Sequence, residues 1–444
     1  MSKKVFLKGT LILACTGLVS RIAGFFYRIF LSHAIGAEGL GLYQLILPLQ
    51  GLMAALSYTG IQSALSRLIA SRLALQEKKE AYFSLVTGIF AAVFFSAVTG
   101  FLLFRHADFF ASTILKAPGT SDLLRLTAAS IPLCAIHSCI DSYYYARKKA
   151  SVPAAVQLSE QTVRIGATYI LYLIFLSEGR PVTAMIAAGG SLAGEAAASL
   201  ISLLMVSFHF GNHPVKEKTS FKIFPLIKDL FTLSFPISLN RILLTLLGSI
   251  EAVLIPQMLI RCGMTSSEAL KIYGIFTGMA LPLLLFPSTI TTSAAVMLMP
   301  SVARMDALGD QKQIRYVTDQ TFFLCMFLGF LCGSGFFLFG PFLGTLLFHS
   351  KTAGTYIRYL SFICPFLYTN TMLASILQGL GRPGRCLIHS AAGILIRIFS
   401  VVFMIPTIGI RGYFYGIFLG ELLLSLLHVK ALKFPYRQAG DNRL

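Results

Sequence analysis

The sequence predicts an all-α, polytopic membrane bundle of about twelve transmembrane helices arranged as two six-helix lobes. Three observations lead there. The 444 residues are 56% hydrophobic and only 12% charged, with a mean hydropathy of +0.75, whereas a soluble globular chain is about 25% charged. Apolar segments fall near 9–34, 41–66, 81–104, 122–146, 154–177, 181–208, 229–258, 269–299, 319–348, 355–380, 386–406 and 409–429, and roughly 20 apolar residues suffice to cross a bilayer. Basic residues alternate between dense and sparse from loop to loop. Lys3, Lys4, Lys78, Lys79, Arg147, Lys148, Lys149, Lys216, Lys218, Arg382, Arg385 and Lys433 share one side, against a few such as Arg105, Lys116, Arg180 and Arg411 on the other. The positive-inside rule then places both termini in the cytoplasm of a multi-pass protein of the cell membrane. The net charge of +19 is thus mostly topological, and no nucleic-acid partner is implied.

The first segment carries Arg21 and Arg28. A spacing of seven is about two helical turns, so both guanidinium groups leave one face roughly 10 Å apart. Each costs on the order of 3 kcal/mol near the centre of a spanning helix, so the folded protein must use positive charge there. The apolar run continues through Arg21 without a small-residue cleavage site, unlike a signal peptide. Pro48 kinks the second segment and is a candidate hinge. The mixed-charge stretch 71–80 reads as an interfacial helix. Between the third and fourth segments, 105–121 is too short for a catalytic domain, and His106 with Asp108 is the only polar cluster there. The fourth segment ends in Asp141-Ser142-Tyr143-Tyr144-Tyr145 before three basic residues, an interfacial anchor. The fifth holds Glu160 and Arg164 at i, i+4, a candidate ion pair. The sixth sets Glu195 among Gly189, Gly190 and Gly194, a density of small residues that marks close helix contact; that carboxylate needs a partner or a proton.

The polar stretch 211–228, with four lysines, reads as a cytoplasmic linker between lobes at 1–210 and 229–430, with a cytoplasmic tail at 431–444. An even number of spans before it gives the halves the same orientation, as in parallel repeats. Weak support comes from Tyr43 followed by Leu-Pro-Leu at 47–49 and Tyr273 followed by Leu-Pro-Leu at 281–283. The seventh segment carries Pro236, Asn240, Arg241 and Glu251, with Arg241 the counterpart of the first-segment arginines. In the eighth, Pro282, Pro287 and a run of hydroxyls imply a broken, adaptable helix. The ninth and tenth read as packing and lipid-facing surface. Arg397 and Glu421, in the last two, are candidates to pair with each other. The eight cysteines lack metal-ligand spacing and read as small packing residues; no metal or cofactor is expected.

The pieces K-G-T-L-I-L (8–13), S-R-I-A-G-F-F-Y-R-I-F-L (20–31), I-G-A-E-G-L-G-L-Y-Q-L (35–45) and L-P-L-L-L-F-P-S-T-I-T-T-S (281–293) resemble the stage V sporulation protein B group of polysaccharide-type transporters. That group shares the multidrug/oligosaccharidyl-lipid/polysaccharide superfamily with the lipid II flippases and the multidrug and toxin extruders. The resemblance implies a V-shaped bundle that moves an undecaprenyl-diphosphate-linked oligosaccharide or peptidoglycan precursor by alternating access, in service of cell wall or spore cortex synthesis. It gives Arg21 the role of a cavity arginine. Two departures stand out: 273–279 reads Tyr-Gly-Ile-Phe-Thr-Gly-Met where the lipid II flippases have an arginine just after the tyrosine, and members of the group carry two further C-terminal helices.

A diphosphate is a compact dianion that guanidinium groups grip by forked hydrogen bonds. Arg21, Arg28 and Arg241 are therefore the candidate substrate-binding cations. Glu160, Glu195 and Glu251 are candidate paired or ion-coupling acids, and Pro48, Pro236 and Pro282 candidate hinges. The expected partners are the lipid-linked anionic glycan, membrane lipid and cell-wall synthesis proteins, around a monomer. A multidrug-type cation antiporter is the nearest alternative and would show an acidic cavity; a non-transporting assembly factor is a further one. An enzyme would need carboxylates or histidines on sizeable loops, which this sequence lacks, and no ATP-binding loop appears.

Overall fold

The structure is a computed structural model that describes residues 3–212 and 223–433. Most of the expected linker, 213–222, and most of the tail, 434–444, lie outside the described residues. Among those described, the chain is helical and contains no strand. Its long helices are α1 (Lys3–Ala34), α2 (Gly36–Ser57, carried on past Tyr58 by Thr59–Ala74), α3 (Lys78–Arg105), α4 (Ser121–Ala146), α5 (Ser151–Ser177), α6 (Met185–Asn212) and α7 (Ile223–Arg261). There follow α8 (Ser266–Leu285, resuming as Ser288–Ala307), α9 (Gln311–Phe348), α10 (Lys351–Gly379), α11 (Pro383–Phe403) and α12 (Ile410–Lys433). Ten are long and apolar enough to cross a membrane. Among the described residues α1 and α5 are not in that set; in α5, Glu160, Gln161, Thr162 and Arg164 interrupt the apolar run.

The described chain packs as two compact units, Met1–Pro282 and Leu283–Leu444. In the first, α7 runs along both parts of α2, and α8 lies against α2. Side chains of Ile61, Leu65, Leu85, Ile140 and Leu230 form a buried core that joins α2, α3, α4 and α7. In lipid, apolar burial alone does not hold helices together, so close backbone approach and polar contacts between helices carry more weight. Gly41 on α2 faces Gly274 on α8 so tightly that a Cβ on either would meet the opposite backbone. Ser249 of α7 donates to the Pro48 carbonyl at 2.9 Å, and Ser267 donates to Glu38 at 2.6 Å. At the end of α2, Arg72 binds Glu77 at 3.0 Å and Asp229 of α7 at 3.1 Å. The Arg72 hydrogen bond holds the Glu77 carboxyl below the usual carboxylate range.

α8 starts at a capping box, in which Thr265 and Glu268 satisfy each other's backbone N–H groups. It then widens to a π-helical turn over Ile275–Ala280, reaches Pro282, and breaks at Phe286–Pro287. The boundary between the compact units falls on this proline. In the second unit α9 packs on α10, and α12 packs on α10 and α11. Tyr368 is fully buried and donates to the Leu284 carbonyl at 2.7 Å. Phe323, Phe327 and Phe330 of α9 are exposed, as side chains facing acyl chains are.

Candidate functional site

α1 is one unbroken helix through both of its arginines. Arg21 is exposed and Arg28 half-buried. α1 is latched to α5 and α2 to α6 by hydroxyl pairs: those of Tyr27 and Thr168 lie 2.9 Å apart, and so do those of Tyr43 and Ser191. Among the described residues neither Arg28 nor Arg241, which is exposed on α7, has its guanidinium in an ion pair or hydrogen bond. Glu251 is buried on α7. Pro48 and Pro236 lie inside α2 and α7, Pro236 exposed, and Pro282 follows the π turn of α8.

The acids of α5 and α6 come together. Arg164 contacts Glu160 on its own helix and Glu195 of α6, the latter at 3.5 Å. On the other side of Glu195, His137 Nε2 of α4 lies 2.9 Å from its carboxylate, and His137 Nδ1 is 3.8 Å from Asp141. A chain Asp141–His137–Glu195–Arg164–Glu160 therefore ties α4, α5 and α6. All five side chains are largely buried. Gly194 lets α6 come this close, since a Cβ there would stand 2.9 Å from the Glu160 carbonyl oxygen.

The second unit repeats the arrangement. Arg397 of α11 reaches Glu421 of α12 at 3.5 Å. Asn370 of α10 donates to the Glu421 carboxylate at 2.8 Å and accepts from Ser425 at 2.7 Å. A Cβ on Gly420 would stand 3.0 Å from the Gly393 carbonyl oxygen, the same relation as Gly194 to Glu160. The pattern G-x-x-x-G-E-x-x-x-S spells both sites, at 190–199 and 416–425. Pro132 and Pro365, His137 and Asn370, Glu160 and Gly393, and Arg164 and Arg397 are all separated by one and the same number of positions. Each unit thus has an arginine–glutamate clasp across three consecutive helices. Sequence reasoning named the glutamates and arginines but missed His137, Asp141 and Asn370; the duplicated pattern was the signal that could have found them.

The acids just past the end of the third helix and at the start of the fourth are paired as well. Asp108 is held by Arg125 at 2.8 Å, and Asp122 by the same arginine at 2.6 Å, all partly or fully exposed.

Residues 6–306 match the model of a family described as "Polysaccharide biosynthesis protein". The chain belongs to that family. It is 30% identical to stage V sporulation protein B of Bacillus subtilis (strain 168) over 440 residues, which cover 96% of this chain and 83% of the relative. Among solved structures it is similar to the lipid II flippase MurJ in an inward closed conformation, with a TM-score of 0.73 at 14% identity over 96% of this chain and 88% of that one. It is also similar to an inward-facing multidrug resistance MATE family transporter of the MOP superfamily, with a TM-score of 0.68 at 17% identity over 95% and 99%. This member of the polysaccharide biosynthesis protein family is therefore a multi-pass membrane protein with the fold that those two transporters share. Within that fold, the clasps account for Arg164 and Arg397, whereas Arg28 and Arg241 are left for something else.

Proposed function

We propose that the protein flips an undecaprenyl-diphosphate-linked oligosaccharide or peptidoglycan precursor across the cytoplasmic or forespore membrane by alternating access, in support of cell wall or spore cortex synthesis. The observation that carries this is Arg28: a half-buried guanidinium amid the apolar residues of α1, with no carboxylate partner among the described residues. A charge so placed is costly unless a ligand supplies the counter-charge, and a diphosphate does so with bidentate geometry. Arg241 on α7 and Arg21, from the same face of α1, are further candidate cations for the same anion in this reading. In this reading the six-helix lobes 1–210 and 229–430 rock about Pro48, Pro236 and Pro282, and both termini face the cytoplasm. The cation-antiporter alternative is less well supported, since Glu160 and Glu195 are already engaged by Arg164.

Native mass spectrometry of the purified chain with an undecaprenyl-diphosphate-linked glycan, against the uncharged polyprenol, tests the grip. One charge-assisted hydrogen bond is worth about 1.5–3 kcal/mol, so Arg28→Ala is expected to weaken diphosphate binding on the order of tenfold or more and leave polyprenol binding unchanged. Equal binding of both lipids by the wild type, or no loss in the variant, contradicts the proposal.

A further inference from the structure

The two clasps differ in a way that structural need does not explain. The second-unit copy is an arginine, a glutamate and an amide. The first-unit copy keeps the arginine and glutamate and adds reactive groups where its counterpart is inert: Cys134 for Leu367, His137 for Asn370, Asp141 for Ala374 and Glu160 for Gly393. If holding three helices together were the whole task, the simpler copy shows that it can be done without them.

We infer that the first-unit cluster binds a divalent transition-metal ion of the zinc type through Cys134 Sγ, the His137 imidazole and the Glu195 carboxylate. The ligand atoms of these three residues lie within 4.8 Å of one another. Three atoms that close share a point roughly 2.8 Å or less from each, about half an ångström outside zinc's bond lengths of about 2.0–2.3 Å. A small side-chain adjustment closes that gap. A sulfur, nitrogen and oxygen donor set suits a borderline-soft cation and disfavours sodium, calcium or magnesium, which take oxygen.

Two further observations point to a cation. His137 Nδ1 and Asp141 Oδ1 are buried with no hydrogen-bond partner, and the imidazole Nδ1 stands 3.8 Å from Asp141. A carboxylate behind the far nitrogen of a ligating histidine is the usual second layer of a metal site, and it fixes the tautomer that leaves Nε2 free to bind. Asp141, Glu160 and Glu195 bring three carboxylates, while Arg164 is the cluster's one permanent cation; a divalent ion bound with Cys134 as its thiolate lowers that excess negative charge by one. A protonated His137 would bring one positive charge in place of the ion, and the experiment below separates the two. A bound metal would pin α4 to α6, so it would act on the movement of this unit whatever the cargo. The inference does not rest on the flippase proposal.

The test uses the purified full-length chain in detergent, with Co²⁺ as the probe. The expected result is one Co²⁺ per chain, a thiolate-to-cobalt charge-transfer band, and displacement by Zn²⁺. Cys134→Ser should remove the band, and Asp141→Ala should weaken binding roughly tenfold or more. The double substitution Cys134→Leu/His137→Asn, which copies the second-unit clasp, should abolish binding while the protein stays helical and elutes as one species. No charge-transfer band in the wild type, or a band that survives Cys134→Ser, overturns the inference. Failure to bind Co²⁺ in chain that does change its His137 protonation with pH would replace the metal with a proton.

Discussion

Arg397 and Glu421 form the plainer of the two clasps, and it is the better one for measuring what such a pair contributes. Removing one member of a buried ion pair leaves an uncompensated charge and costs about 3–5 kcal/mol, whereas replacing both by apolar residues is often neutral. Arg397→Leu is therefore expected to lower the thermal midpoint of the detergent-solubilised protein, and Arg397→Leu/Glu421→Leu to recover most of the loss. A double variant as unstable as the sum of the singles would show that the two residues do not act as a pair. At this scale legibility followed distance along the chain. Glu160 and Arg164 were readable because one turn separates them. His137 and Glu195 were not, because 58 positions and two helix reversals intervene, and nothing in the periodicity of α4 or α6 relates them. Cys134 was read as packing for the same reason: its neighbours in the site are only partly its neighbours in sequence.

At the scale of elements, α5 and α8 are the helices that deviate most from plain spans. α5 has given up part of its apolar run to hold Glu160, Gln161, Thr162 and Arg164. α8 was legible as a broken helix from Pro282, Pro287 and its hydroxyls, and the chain does break at Phe286–Pro287. The π turn at Ile275–Ala280 was not legible, since it depends on how Gly274 and Gly278 meet α2. Such turns recur at functional sites and hinges. Pro282→Ala restores a backbone N–H and should let α8 continue as regular helix. Slower hydrogen exchange over 275–287 and a several-fold lower transport rate, with normal insertion, are the expected outcomes. Unchanged exchange and rate would remove Pro282 from the moving parts.

For the whole molecule, composition and loop charge were enough to predict the helical membrane bundle, because the bilayer admits so few alternatives. The packing boundary at Pro282 was beyond reach of the sequence, which marks repeats and linkers but not which helices lie together. The account of the whole rests on charge. Most arginines sit at the ends of helices or in clasps, and Arg28 is kept inside the apolar helix α1 without an ion-pair partner among the described residues. Its clearest test is the leaflet distribution of lipid-linked precursor in a flippase-depleted bacterium that expresses wild type, Arg28→Ala or Arg28→Glu at matched membrane levels. The account predicts that wild type clears precursor from the inner leaflet, that Arg28→Ala leaves most of it there, and that Arg28→Glu leaves all of it. Clearance by Arg28→Glu equal to that by the wild type would contradict the grip on an anionic cargo.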